Sequence, residues 1–172
     1  YELGRAHYKK RTWARAEPVL ALAASRCPAG DEAPKALYMQ GKALVRLGRG
    51  DEAVATWTAL AEHHPQHSYA DDGLYLAAEQ QLEQGHPAEA RALYERMAAE
   101  FPEGDMLGAA LWGLAWEALE GKRTAEALPW LEALARGALD GPERARVLQG
   151  RYWLARTRAA LPAQAEAGRS GL

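Results

Sequence analysis

The sequence predicts an all-α fold of about nine helices, arranged as repeated pairs of antiparallel helices. Three columns of residues recur every 37 positions and carry this prediction. One is aromatic (Tyr1, Tyr38, Tyr75, Trp112), one is alanine (Ala16, Ala53, Ala90, Ala127) and one is proline (Pro28, Pro65, Pro102). A period of this length is typical of solenoids, in which each unit packs mainly on its neighbours. We therefore expect function to lie on an extended surface.

The first helix of each predicted pair has a small residue near its middle, at Gly4, Gly41, Ala78 and Ala115. A short side chain there lets the second helix of the pair approach closely. Turns are expected at residues 49–51 and 85–87, where Gly50 and Gly85 end the first helix and Asp51 or Pro87 suits the start of the second.

The second helix of each pair contains the alanine column and a larger residue four positions later, at Leu20, Trp57, Tyr94 and Leu131. Another alanine follows after four more positions, at Ala24, Ala61, Ala98 and Ala135. This i, i+4, i+8 stripe is typical of a buried helical face. The proline column ends the helix because proline does not continue one.

These small, large and small columns resemble those of tetratricopeptide repeats over essentially the whole chain. That resemblance implies a right-handed superhelix of antiparallel helix pairs. The usual repeat has about 34 residues, and the extra residues here fall between the proline and the next pair.

We expect a single array over residues 1–160, with a partial helix or frayed tail at 161–172. Its repeats are predicted at 1–28, 34–65, 71–102 and 108–138, followed by a partial one at 142–160. Because both ends cut through helix pairs, we expect the native protein to continue on both sides.

The longer repeat is similar to that of bacterial envelope proteins, which favours a periplasmic or cell-envelope location over a cytoplasmic one. Residues 64–72, 101–116 and 151–156 resemble the superhelical region of soluble lytic transglycosylases. Membership would imply a C-terminal lysozyme-like domain with one catalytic glutamate, a motif that these 172 residues do not match. The alternative is a protein–protein adaptor of the envelope-assembly or Tol-Pal coordinator type, with no enzyme domain.

Composition and motifs narrow the function classes. The net charge of −2 lacks the large positive field of a nucleic-acid binder. No apolar run approaches the ~20 residues that span a bilayer. The sequence has no serine nucleophile elbow, no zinc-protease motif and no phosphate-binding glycine loop. We therefore predict a non-catalytic chain without a cofactor.

A histidine cluster at His63, His64 and His67 is the one candidate metal site, with Asp71 or Asp72 as a further ligand. However, adjacent residues on a helix point in different directions, and His67 lies beyond Pro65 in a loop. Histidines near a helix C-terminus also interact favourably with the helix dipole. We predict no metal.

Binding is expected in the concave groove, which in tetratricopeptide repeats is lined by the first helix of each pair. The candidate residues are Tyr38, Lys42, Arg46, Tyr75, Glu79, Trp112, Trp116 and Tyr152. Their chemistry changes from basic through acidic to aromatic along the chain, which suits either a protein or peptide segment or a peptidoglycan glycan strand. Packing against the neighbouring helix pair is the alternative role for Tyr38 and Tyr75. The pair Trp112 and Trp116 is the preferred binding candidate, because tryptophan is enriched at binding hot spots.

Overall fold

The computed structural model describes residues 1–137 and 143–169, with side chains described as far as residue 161. Every regular element in those ranges is an α-helix, which confirms the all-α helical repeat fold. The nine helices described there are α1 (Glu2–Lys9), α2 (Trp13–Arg26), α3 (Glu32–Arg46), α4 (Gly50–His63), α5 (Tyr69–Glu83), α6 (Pro87–Glu100), α7 (Leu107–Glu120), α8 (Thr124–Ala135) and α9 (Arg144–Arg169).

The chain forms two compact units, one from Tyr1 to Leu93 and the other from Tyr94 onward. In the first unit each of α1 to α4 packs on the next helix, and α3 also contacts both α1 and α5. In the second unit α8 packs on α7 and α9, and α7 also contacts α9. Within each unit, neighbouring first helices thus lie side by side, which is the neighbour packing that a repeat array requires.

Most of the predicted packing residues of the helix pairs are buried as expected. The four residues of the alanine column have no exposed surface, and the larger residues four positions later are at most 3% exposed. A methyl carbon on Gly4 would lie 2.7 Å from Leu20 Cγ, and one on Gly41 would overlap the indole of Trp57. The small residues of the first helices therefore make room for the large residues of the second helices. In the last alanine column Ala24 and Ala61 are buried, whereas Ala98 and Ala135 are partly exposed.

The turns within helix pairs differ from the prediction at one glycine. Gly48, not Gly50, ends α3 in the left-handed conformation with φ of 74°, and Gly50 is the first residue of α4. The equivalent residues of the other pairs, Arg11, Gly85 and Lys122, also have positive φ values, from 57° to 80°. In each turn the next N–H donates to the carbonyl five residues earlier, as from Arg49 to Leu44 at 2.9 Å. This is a Schellman motif, which requires a left-handed residue at this place.

The proline column ends the second helices as predicted. Helices α2, α4 and α6 each stop two residues before Pro28, Pro65 and Pro102, respectively. Leu139, which stands in place of the fourth proline, lies outside the described residues. The last described helix, α9, runs to Arg169.

Candidate functional site

A groove in the first unit brings three of the predicted binding residues together. Lys42 and Arg46 lie one turn apart on α3, and Glu79 lies on α5, which packs beside α3. All three line one cavity of about 210 Å³. The remaining lining residues are Tyr8, Val45, Trp57, Leu76, Gln80 and Glu83. We call this cavity and its lining residues the charged groove.

Opposite charges line the charged groove from its two sides. Lys42 and Arg46 come from α3, while Glu79 and Glu83 come from α5. Trp57 of α4, only 2% exposed, forms a fixed apolar part of the lining, and its indole N–H donates to the Tyr38 carbonyl at 3.1 Å. This hydrogen bond therefore holds α4 against α3 at the charged groove.

Tyr38 itself is a packing residue as much as a surface residue. Its ring is half-buried and stacks on Tyr69, with 4.5 Å between the ring centroids. Burial raises the pKa of the Tyr38 phenol, and the Asp72 carboxylate adds to this shift. The Lys42 ammonium lies 5.0 Å from the centre of the ring, where the π face attracts a cation. Tyr38 thus positions Lys42 at the edge of the charged groove.

Tyr75, the next member of the aromatic column, is half-buried on α5, one turn before Glu79.

The other three predicted residues meet in the second unit. Trp112 and Trp116 stack on each other at 5.4 Å between centroids, and both contact Trp153 of α9. Tyr152 packs its ring nearly perpendicular to Trp153 at 5.7 Å. Arg156 completes the group, which we call the aromatic cluster: Trp112, Trp116, Tyr152, Trp153 and Arg156. The predicted site residues therefore fall into two separate groups, one in each unit.

The aromatic cluster has a buried part and an exposed part. Trp112 and Trp153 pack against the core residues Ala115, Ala118, Ala127 and Leu131. Trp116 is 37% exposed and Tyr152 is 54% exposed. The guanidinium carbon of Arg156 lies 5.1 Å from the centre of the Trp153 ring, and its Nη1 donates to the Tyr152 hydroxyl at 2.9 Å. The cluster thus presents aromatic surface and a positive charge on a rigid base.

The family follows from comparison with known proteins. A model of the tetratricopeptide repeat matches residues 38–105 and again 75–142, which together cover more than half of the chain. The chain belongs to the tetratricopeptide repeat family. The two matches begin one 37-residue period apart, at Tyr38 and Tyr75. A comparison with curated proteins finds no match.

Solved tetratricopeptide structures share the fold of this chain at low sequence identity. A tetratricopeptide repeat protein from Parabacteroides merdae is 20% identical with a TM-score of 0.67, and the match covers 92% of this chain and 58% of that one. The chain thus spans less than two thirds of that protein. The nearly identical repeats of a putative kinesin light chain from Podosopora anserina are 19% identical with a TM-score of 0.59. That match covers 98% of this chain and 88% of the other.

Two features of this tetratricopeptide chain were not predicted from its sequence. Arg156 is absent from the predicted residues, although its place one helical turn after Tyr152 is a signal that it shares that face. A cavity of about 930 Å³ in the first unit is also not predicted. The small residues Ala21, Ala24, Ala29 and Gly30 leave this space between α2, α3 and the residues that follow α4.

The three clustered histidines line that larger cavity and do not form a metal site. Within the described ranges, no group of three or more His, Cys, Asp or Glu residues is arranged to hold a metal ion. The Tyr69 N–H donates to His67 Nδ1 at 3.1 Å, which assigns that nitrogen an acceptor role. Burial lowers the pKa of His64, and the charges of His63 and His67 lower it further.

In the part of the chain that the structure covers, no helix is long and apolar enough to cross a bilayer.

Proposed function

We propose that this tetratricopeptide chain is a non-catalytic binding module that takes an extended peptide segment of a protein partner in the charged groove. The observation that carries the proposal is the convergence of Lys42 and Arg46 with Glu79 around one cavity lined by Trp57. The lining combines an apolar base with charges of both signs, and such convergent polar groups in an apolar cavity are typical of binding sites.

The charge arrangement indicates what kind of peptide fits. An acidic side chain of the peptide would face Lys42 and Arg46, and a basic side chain would face Glu79 and Glu83. Because the two charge pairs come from different helices, the peptide has one preferred orientation across the groove. Charges placed in this way contribute to specificity and to the rate of association more than to affinity itself.

The test is a charge reversal on α3. A displayed random peptide library is selected on the immobilised wild-type chain, and the enriched peptides are synthesised for calorimetric titration. We expect them to carry both an acidic and a basic residue. The double variant Lys42→Glu and Arg46→Glu should bind them at least about tenfold more weakly, a loss of about 1.4 kcal/mol, because both cations become repulsive.

A matched control has the same change of net charge away from the groove. Lys10 and Arg26 are exposed and do not line the charged groove, so Lys10→Glu with Arg26→Glu should keep the wild-type affinity. Equal affinity of the α3 variant and the control, or no enrichment of any peptide, would refute the proposal.

We also propose that the module is the helical segment of a periplasmic peptidoglycan lytic transglycosylase. Support comes from the resemblance of residues 64–72, 101–116 and 151–156 to that region of those enzymes. Catalysis would then belong to another part of the full-length protein. Incubation of this chain with purified peptidoglycan should release no soluble muropeptides, whereas the full-length protein should release anhydro-muropeptides.

An envelope adaptor without an enzyme domain is the second candidate, with a cytoplasmic scaffold as a further variant of it. The charged groove favours this reading, because its paired charges suit a peptide better than a neutral glycan. A full-length protein that releases no muropeptides would exclude the transglycosylase and leave the adaptor.

A further inference from the structure

The aromatic cluster and the adjacent surface of α9 expose large apolar side chains to solvent. Among the large apolar side chains found exposed in the described residues, three belong to this region: Trp116 at 37%, Leu148 at 47% and Tyr152 at 54%. Leu148 and Tyr152 lie one turn apart on α9, and Trp153 contacts both Tyr152 and Trp116. Exposed apolar patches with polar groups at their edge mark interaction surfaces.

The polar groups of the cluster are hydrogen-bond donors. An indole has only its N–H to offer, and a guanidinium donates without accepting. The Tyr152 hydroxyl already accepts from Arg156 Nη1 at 2.9 Å, so its own hydrogen is left to donate. A ligand that fits must therefore bring acceptors and have few donors of its own that would remain unsatisfied.

We propose that the aromatic cluster binds a proline-rich peptide segment in the polyproline II conformation. Proline has a carbonyl acceptor and no N–H, so a proline-rich chain matches a site of donors. The rings of Trp116 and Tyr152 both stand nearly at right angles to Trp153, at 81° and 86°. Polyproline helices bind to surfaces lined by aromatic side chains, which these exposed rings supply. The inference rests on the proposed function, because it takes the chain to be a peptide-binding module.

Two other ligand classes match the cluster less well. Glycan hydroxyls donate as well as accept, so a glycan strand would need acceptors that these five side chains supply only through one phenol oxygen. A cationic ligand would meet Arg156, whose guanidinium already lies over the Trp153 ring at 5.1 Å and near the Tyr152 ring at 5.7 Å. A polyproline helix is also largely preformed, which lowers the conformational entropy lost on binding.

The experiment is an NMR titration of the ¹⁵N-labelled chain with a synthetic, capped oligoproline peptide of about ten residues, three turns of the polyproline helix. The indole N–H signals of Trp116 and Trp153 should shift on binding. The Trp57 signal should not, because that N–H is held by the Tyr38 carbonyl. Tyr152→Ala and Arg156→Gln should each weaken binding at least about fivefold, equivalent to about 1 kcal/mol. Both side chains are exposed, so these variants are expected to fold.

The matched control is Leu22→Ala, since Leu22 is 51% exposed on α2 in the other unit. This variant should bind the oligoproline peptide as the wild type does. An absence of indole shifts, or an equal loss in Leu22→Ala, would overturn the inference. Indole shifts with a chitin oligosaccharide but not with oligoproline would overturn it in favour of a glycan. If oligoproline fails while library peptides still bind the charged groove, only this inference fails and the proposed function stands.

Discussion

Aromatic residues of the first helices take different roles according to their neighbours. Tyr38 is half-buried on Tyr69, Trp112 is packed on the core of the second unit, and Trp116, one turn later, is 37% exposed. The period fixes where an aromatic residue lies on its helix, because periodicity determines the helix face. Exposure depends on which side chain the adjacent helix brings opposite it, and no single column contains that information.

Alanine substitutions of the two tryptophans of α7 should lower the free energy of unfolding by different amounts. Trp112→Ala is expected to lower the free energy of unfolding by about 3 kcal/mol, because it removes a large side chain packed on Ala115 and Leu131. Trp116→Ala should cost about 1 kcal/mol, since much of its ring is already in water. Urea unfolding followed by far-ultraviolet circular dichroism measures both. Equal losses would mean that Trp116 belongs to the core.

Part of the charged groove and part of the aromatic cluster could be predicted from the sequence. Lys42 and Glu79 stand one repeat period apart in sequence, so the stacking of first helices brings them to one cavity. Arg156 follows a shifted register in the last helix, and the period therefore does not extend to it. The larger cavity was missed because it depends on small residues from two helices and on the path of the chain after α4.

At the scale of elements, the turns within helix pairs share one backbone geometry although their residue types differ. The turns at Arg11, Gly48, Gly85 and Lys122 share the same backbone hydrogen bonds. Gly50 was a wrong prediction because the segment 48–50 has glycine at both ends, and composition does not distinguish which one ends the helix. The Schellman hydrogen bonds determine that the first of the two must be left-handed.

A pair of substitutions tests this turn geometry. Gly48→Ala should destabilise the protein by about 1 kcal/mol through backbone strain alone, since a methyl group there would meet no atom within 4 Å. Lys122→Gly should instead stabilise by about 0.5 kcal/mol, because it relieves the same strain at φ 58° but adds freedom to the unfolded chain. Thermal unfolding checks both signs. Destabilisation by Lys122→Gly would show that the lysine side chain contributes more than its strained backbone costs.

At the scale of the whole molecule, each unit has a core of its own. Leu20 and Ala43 belong to a core cluster of the first unit, and Ala127 and Leu131 belong to one of the second. In repeat proteins stability is close to a sum of local terms, so that damage to one repeat is felt mainly by its neighbours.

We therefore expect Leu131→Ala to loosen the second unit selectively. Leu131 is fully buried, and its truncation should cost about 2–5 kcal/mol. Hydrogen exchange monitored by mass spectrometry should show lost protection in α7, α8 and α9, with much smaller changes in α1 to α4. Uniform loss along the chain would indicate a single cooperative unit in place of local stability.

The shared turn also determines how such a chain can change in length. Because the turns at Gly48 and Gly85 close with the same hydrogen bonds, residues 50–86 form a module whose two ends are compatible with each other. We expect insertions or deletions to be tolerated when they comprise whole modules of 37 residues. Each added module would contribute one more first helix, about 10 Å wide at a packed interface. The reach of the binding surface would then grow in discrete steps, set by the number of modules that the gene encodes.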